Sequence, residues 1–159
     1  MEDQGVSAVI DIGTNTFNLL IANRSKSGLT IIESHKVAVS LGMGGINEGV
    51  LADDAIQRAL DAFEKFRGIL LNYPVVQPIL IATSAVRDAK NASEFTAAVF
   101  DRFAWSVTVV SGMKEAELIY KGVGLCYDFK EHTLIMDIGG GSTEFIEANN
   151  EGICSEVSL

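Results

Sequence analysis

Two aspartates, Asp11 and Asp137, each lead into a turn of glycine and short hydroxyl residues, and 137 minus 11 puts them 126 residues apart. The first stretch reads Asp11-Ile12-Gly13-Thr14-Asn15-Thr16, the second Asp137-Ile138-Gly139-Gly140-Gly141-Ser142-Thr143. Successive turn N–H groups and hydroxyls form a concave anion cradle. Glycine is expected there to supply positive φ and to let a ligand approach the main chain. The aspartate adds a carboxylate able to hold a phosphate-bound Mg²⁺, directly or through water. One such turn is equally an ordinary Gly-rich hairpin. Two copies with the Asp in the same place favour phosphate chemistry.

Three further side chains fit that chemistry. Arg87 follows the apolar run 75–83, and ligands of α/β sheets gather at the carboxyl ends of strands. Its planar fork can clamp a phosphate, or it can be a surface partner of Asp88. Glu115 falls in the first turn of a helix opening after Ser111-Gly112, where it can serve as a base or simply complement the helix dipole. Glu144 follows the second cradle and can orient a water or a cation, or point outward from its strand.

The elements that must carry these residues follow from pattern. Residues 6–12 and 17–24 read as a hairpin, Arg24–Gly28 as a polar turn and 29–39 as a third strand, an antiparallel meander. The Gly-rich stretch 41–50 reads as a loop, either a flap over substrate or a plain connector. Asp53 or Asp54 is expected to cap a helix to about Leu71, with Ile56, Ala59, Leu60, Phe63, Phe66 and Leu70 on its core face. Residues 75–83 read as a strand buried on both faces. Asn91 and Glu94 form a capping-box signature for a helix to about Arg102. A strand over 105–110, a helix from Ser111 to about Tyr127 and a polar bend at 128–133 follow, and the first unit closes near residue 125. The second hairpin and a strand over 153–159 then begin the pattern again. The match spans Asp11–Asn23 and Asp137–Asn149 without a gap.

A meander followed by strands alternating with helices indicates an α/β fold. The expected domains are 1–125, carrying the first hairpin, and 126–159, the truncated start of a second. With no helix following it, the second sheet is expected to lean on the first unit or to pair across a homodimer. The 159-residue chain alone is expected to be folded and inactive.

Composition narrows the partners. A formal charge of −9 and a pI near 4.6 argue against a nucleic-acid binder, which needs a basic face. Local dipoles, a cation and a few placed basic groups must therefore attract any polyanion. Cys126 and Cys154 lack metal or disulfide spacing and read as reduced, half-buried small hydrophobes. His35 and His132 are too scattered for a zinc site. With no signal-peptide pattern and no membrane-spanning run, a cytoplasmic protein without membrane association is expected.

Together these segments resemble the exopolyphosphatase / guanosine pentaphosphate phosphohydrolase family, within the actin, sugar-kinase and heat-shock-chaperone ATPase superfamily. The resemblance rests on both hairpins, on Ala82-Thr83-Ser84-Ala85-Val86-Arg87-Asp88-Ala89, on Ser111-Gly112-Met113-Lys114-Glu115-Ala116, and on Leu118-Ile119-Tyr120-Lys121-Gly122-Val123. It implies a ribonuclease-H-like (actin-like ATPase) domain and an Mg²⁺-dependent hydrolase of inorganic polyphosphate or guanosine pentaphosphate. Glu115 would be the base, with Glu144 serving the water. Asp137 and Asp11 would hold the metal. Gly13, Thr14, Asn15, Thr16, Arg87, Gly139, Gly140, Gly141, Ser142 and Thr143 would bind phosphate between the two domains. Thr14 and Thr16 stand where serines are usual, Ser40 where Arg is common, and Asn18 where a basic residue is frequent. An ATP-dependent kinase of the same superfamily and a non-catalytic nucleotide or alarmone sensor are the alternatives.

Overall fold

The structure is a computed structural model that describes residues 5–25, 28–130 and 132–159. Val6–Ile12 (β1) and Thr16–Ser25 (β2) pair antiparallel, with Asp11 opposite Asn18. Gly28–Ala38 (β3) pairs antiparallel with β2 and completes the meander. Residues 26 and 27 of the expected polar turn lie outside the described residues, as does residue 131 of the later bend. The strands alternate as a one-sided sheet requires. Ala8, Ile10, Ile12, Phe17, Leu19 and Ile21 are buried on one face.

Asp53–Leu70 (α1) covers that face with Ala55, Ala59, Ala62, Phe63, Phe66 and Leu70, at helical spacing. Its N-cap is Ala52 rather than an aspartate, and Asp53 and Asp54 sit in the first turn, where they complement the dipole. Ile79–Ala82 (β4) and Val107–Val109 (β5) extend the sheet in parallel, giving the order β3-β2-β1-β4-β5. β4 is shorter than the apolar run suggests. Pro74 and Pro78 carry no N–H for a ladder, and Val76 between them is 97% exposed. Nor is β4 buried on both faces, since Leu80 and Ala82 are buried while Ile79 is exposed. Both α1 and Ala92–Phe103 pack on the side of Leu80 and Ala82.

A four-residue helix, Ser84–Arg87 (α2), follows β4, and Ala92–Phe103 (α3) follows it. Asn91 is the N-cap of α3 but makes no capping bond with its side chain. Its Oδ1 accepts from the Leu51 N–H at 2.8 Å and its Nδ2 donates to the Leu51 carbonyl at 2.9 Å, tying the Gly-rich loop to α3. The loop itself contains a 3-10 turn, Ile46–Glu48. Phe63 centres an aromatic cluster, with Phe17 at 5.2 Å, Phe103 at 5.9 Å and Trp105 at 6.2 Å between ring centroids. Such pairs add to the burial of the rings themselves.

Gly112–Gly124 (α4) precedes a second meander of Thr133–Ile138 (β6), Thr143–Asn149 (β7) and Gly152–Ser158 (β8), in the order β6-β7-β8. This sheet repeats the first in detail. Asp137 lies opposite Glu144 as Asp11 lies opposite Asn18. The register shift between Ile21 and Ala22 recurs between Glu147 and Ala148, at the same 126-residue offset.

The chain divides into compact units Met1–Val109 and Val110–Leu159. The sequence-based boundary near residue 125 differs from this by the whole of α4. The reason is packing. Ala116, Ile119 and Tyr120 of α4 meet Ile135, Ile146, Ala148 and Ile153 of the second sheet. That sheet therefore has a helical cover on one face, contrary to the expectation of none. Its other face exposes Leu134, Met136, Ile138 and Val157. Cys126 and Cys154 are exposed rather than half-buried.

Candidate functional site

Both hairpin turns close with the same bond. The Gly13 N–H donates to the Thr16 carbonyl at 3.2 Å, and the Gly139 N–H donates to the Ser142 carbonyl at 3.0 Å. A Cβ on Gly13 would lie 2.9 Å from that carbonyl oxygen, and one on Gly139 would lie 3.1 Å from its counterpart. Gly13, Gly139, Gly140 and Gly141 are not among the glycines with positive φ. At Gly13 the expected left-handed turn is therefore replaced by a close approach to the main chain that a side chain would disturb, and Gly139 makes a looser version of it.

In the first unit the hairpin is anchored to the helix that carries Arg87. Thr14 is buried, and its Oγ1 lies 3.0 Å from the buried Ser84 Oγ. The Thr83 N–H donates to the Ile12 carbonyl at 3.4 Å and the Arg87 N–H to the Thr83 carbonyl at 2.9 Å. Turn and Arg87 thus share one hydrogen-bonded frame. The Arg87 side chain is 20% exposed, and its Nε lies 3.4 Å from Asp88 Oδ1. The Asn15 carbonyl accepts from Val39 and Ser40 N–H at 3.0 and 2.9 Å, leaving its exposed side chain outside the turn's bonding. Thr16 opens β2. Asp11 is exposed, and its Oδ2 accepts from Asn18 Nδ2 at 3.0 Å.

Ser40 holds a left-handed φ of 51°. Arg58 supports this segment by donating to the Val39 carbonyl at 2.8 Å and to the Ser40 carbonyl at 3.0 Å.

In the second unit Asp137 is exposed at the end of β6, while Glu144 opposite it is 1% exposed. Ser158 Oγ donates to Glu144 Oε1 at 2.8 Å. Ser111 caps α4 by accepting from the Lys114 N–H at 3.2 Å. Glu115 sits half-buried in the first turn, its N–H donating to the Ser111 carbonyl at 2.9 Å. Lys114 donates to Glu117 Oε2 at 2.7 Å and Lys121 donates to the other oxygen. These bonds hold the Glu117 carboxyl down at about 2. Gly140, Gly141, Ser142 and Thr143 form the turn and the first residue of β7.

The structure thus brings Thr14 and Arg87 into one frame in the first unit, and Asp137 and Glu144 onto one sheet face in the second. Sequence reasoning missed Ser84 and Ser158, the hydroxyls behind Thr14 and Glu144. Ser84 lies inside Ala82–Ala89, and a serine within a β-prone stretch is the signal Ser158 offered.

The Ppx/GppA phosphatase family model matches residues 20–159. The chain belongs to this family. An exopolyphosphatase from Cytophaga hutchinsonii is 41% identical, with a TM-score of 0.93 over 97% of this chain and 50% of its own. The Ppx/GppA family member of Aquifex aeolicus is 28% identical, with a TM-score of 0.83 over 98% of this chain and 51% of its own. The bifunctional 3-dehydroquinate synthase/phosphatase of Fusobacterium nucleatum is 39% identical over 96% of this chain and 24% of its own. The chain therefore spans about half the length of the solved relatives and about a quarter of the Fusobacterium protein. The fold is the ribonuclease-H-like fold of the actin-like ATPases. Among the described residues no helix is long and apolar enough to cross a membrane.

Proposed function

We propose that this chain carries the phosphate cradles and the hydrolytic carboxylates of a phosphoanhydride hydrolase. Its substrates are inorganic polyphosphate or guanosine pentaphosphate, whose terminal phosphate it releases to water. The observation that carries the reading is Glu144, a carboxylate buried beside the second cradle and paired with a second carboxylate, Asp137. A plain anion binder gains nothing from two acids there. The similarity to an exopolyphosphatase supports the same class.

The residues fit a divalent cation of the Mg²⁺ type. Among the described residues no group of three or more His, Cys, Asp or Glu is clustered. Mg²⁺ is commonly bound through one or two carboxylates, with substrate phosphates and waters completing the set. Asp137 is exposed and Glu144 adjoins it, which is such a donor set. Asp11 is the corresponding candidate in the first unit, where Asn18 already donates to it. The cation, when bound, offsets charge on the phosphoryl oxygens.

The protein's own groups then have separate tasks. In the first unit turn N–H groups and Thr16 bind phosphate oxygens and Arg87 clamps a phosphate with charge-assisted bonds, and in the second unit turn N–H groups, Ser142 and Thr143 bind phosphate oxygens. Thr14 holds the turn in shape as well as lining it. Glu115 orients a water and takes its proton, and Glu144 fixes the water's position. Positioning and electrostatics supply most of the acceleration in phosphoryl transfer. A cytoplasmic setting and the absence of nucleic-acid partners are part of this proposal, the latter supported by the −9 charge.

Phosphate release from tripolyphosphate, guanosine pentaphosphate and ATP, with and without Mg²⁺, tests the reading in the longest active form of the protein. Mg²⁺-dependent release from either of the first two is expected. Turnover only with ATP and a separate acceptor would replace the hydrolase with a kinase.

A further inference from the structure

We propose that Ser158 is a positioning residue that holds the Glu144 carboxylate in register with the first turn of α4, the turn that carries Glu115. The inference rests on the hydrolase reading above and adds to it a residue outside both cradles.

Burial is the first argument. Glu144 is 1% exposed, and Ser158 Oγ donates to its Oε1 at 2.8 Å from the directly opposed position on β8. A buried carboxylate oxygen is left unsatisfied without such a donor, and the bond also restricts the rotamer. Two oxygens on a flexible side chain would otherwise rotate away from a defined direction. The serine fixes which oxygen faces β8.

The second argument is the contact with α4. A Cβ built on Gly112 would lie 2.9 Å from Ser158 Cβ and 3.2 Å from its Oγ. The backbone at the helix start therefore rests directly on the serine. Gly112 in Ser111-Gly112-Met113-Lys114-Glu115 is explained by this approach, because any side chain would displace Ser158 and the carboxylate bonded to it. One small hydroxyl residue thus sets the distance between Glu144 and the helix turn bearing Glu115.

Residue choice is the third argument. Serine packs poorly in strands compared with threonine or valine. In the first unit the matching row reads Asp11, Asn18, Lys36, with Lys36 opposite Asn18. In the second it reads Asp137, Glu144, Ser158. The repeat keeps the aspartate and replaces the other two together, as expected if carboxylate and serine act as a pair.

The test is a double-mutant cycle in the longest active form, reading kcat and KM with tripolyphosphate. Ser158→Ala is expected to lower kcat roughly tenfold or more, the lower end for a hydrogen bond to a charged group, with KM little changed. Glu144→Gln lowers it further. Ser158→Ala added to Glu144→Gln then has no additional effect on kcat, because the serine acts through the carboxylate. Gly112→Ala shifts kcat in the same direction as Ser158→Ala. An equal loss from Ser158→Ala in both backgrounds would show a general structural role and overturn the inference. Wild-type kcat in Ser158→Ala beside an impaired Glu144→Gln would overturn it too, leaving the hydrolase reading intact. Wild-type kcat in Glu144→Gln would remove the reading on which it rests.

Discussion

Glu144 lies directly opposite Asp137 across β6 and β7, in the register in which Asn18 lies opposite Asp11 in the first unit. The two hairpins thus share one register and differ in what faces the aspartate. In the first, an amide donates to the aspartate at 3.0 Å and the pair is satisfied internally. In the second, a carboxylate faces a carboxylate, an arrangement that costs stability in a sheet unless a cation or another donor offsets it. Under the proposed hydrolase reading, this divergence would put the hydrolytic chemistry at the second hairpin. It would leave the first with phosphate binding.

Arg87→Ala is expected to weaken binding of a polyphosphate ligand by about 1.5–3 kcal/mol, the range for hydrogen bonds to charged groups. Arg87→Lys should restore only part of this, since an ammonium lacks the planar fork. Calorimetry on the three proteins decides it. Equal affinity for wild type and Arg87→Ala would leave Arg87 with Asp88 as a surface pair.

The Thr14–Ser84 hydroxyl pair joins the first turn to α2, and both residues are buried. Thr14→Val should cost about 1–3 kcal/mol of stability, because Ser84 is left without that partner. Thr14→Val combined with Ser84→Ala should cost less than the two single changes added together. Urea unfolding of the four proteins measures this. Strict additivity would mean that the hydroxyls do not bond.

Glu117 supplies a pH signature confined to α4. Its carboxyl lies at about 2, below the ordinary 4.5, owing to hydrogen bonds from Lys114 and Lys121. A depressed folded value gives stabilisation that is complete above the unfolded value. It is lost as pH falls from about 4.5 toward about 2. The side chain is well exposed, so salt should weaken the effect. Carbon-13 NMR of the Glu117 carboxyl should show a midpoint well below the ordinary range that rises with ionic strength. A midpoint near 4.5 at low salt would show that the two lysines do not hold it in solution.

What the sequence made legible was local or repeated. The hairpins stood out because two copies reinforce each other, and α1 because Ala59, Phe63, Phe66 and Leu70 recur on one face. What stayed hidden depends on partners distant in the chain. Asn91 has the spacing of a capping residue, yet its side chain reaches Leu51, 40 positions away. The sequence marked a helix opening at Ser111 but did not say which sheet α4 would meet. Ser84 bonds 70 residues back to Thr14, and Ser158 reaches 14 residues back to Glu144. Small hydroxyls carry no periodic signal, so only the assembled backbone shows them.

The central claim is that water, activated by Glu115, is the group that receives the phosphoryl. The most direct measurement is turnover of tripolyphosphate with Mg²⁺ in ¹⁸O-labelled water, using the longest active form and its Glu115→Gln variant. Each released phosphate should carry one solvent oxygen, and Glu115→Gln should slow release by at least about a hundredfold, the lower end for a lost general base. Substrate binding should survive the change, since it removes a negative charge facing phosphate. Phosphate free of the label, or a Glu115→Gln variant turning over at the wild-type rate, would contradict the account.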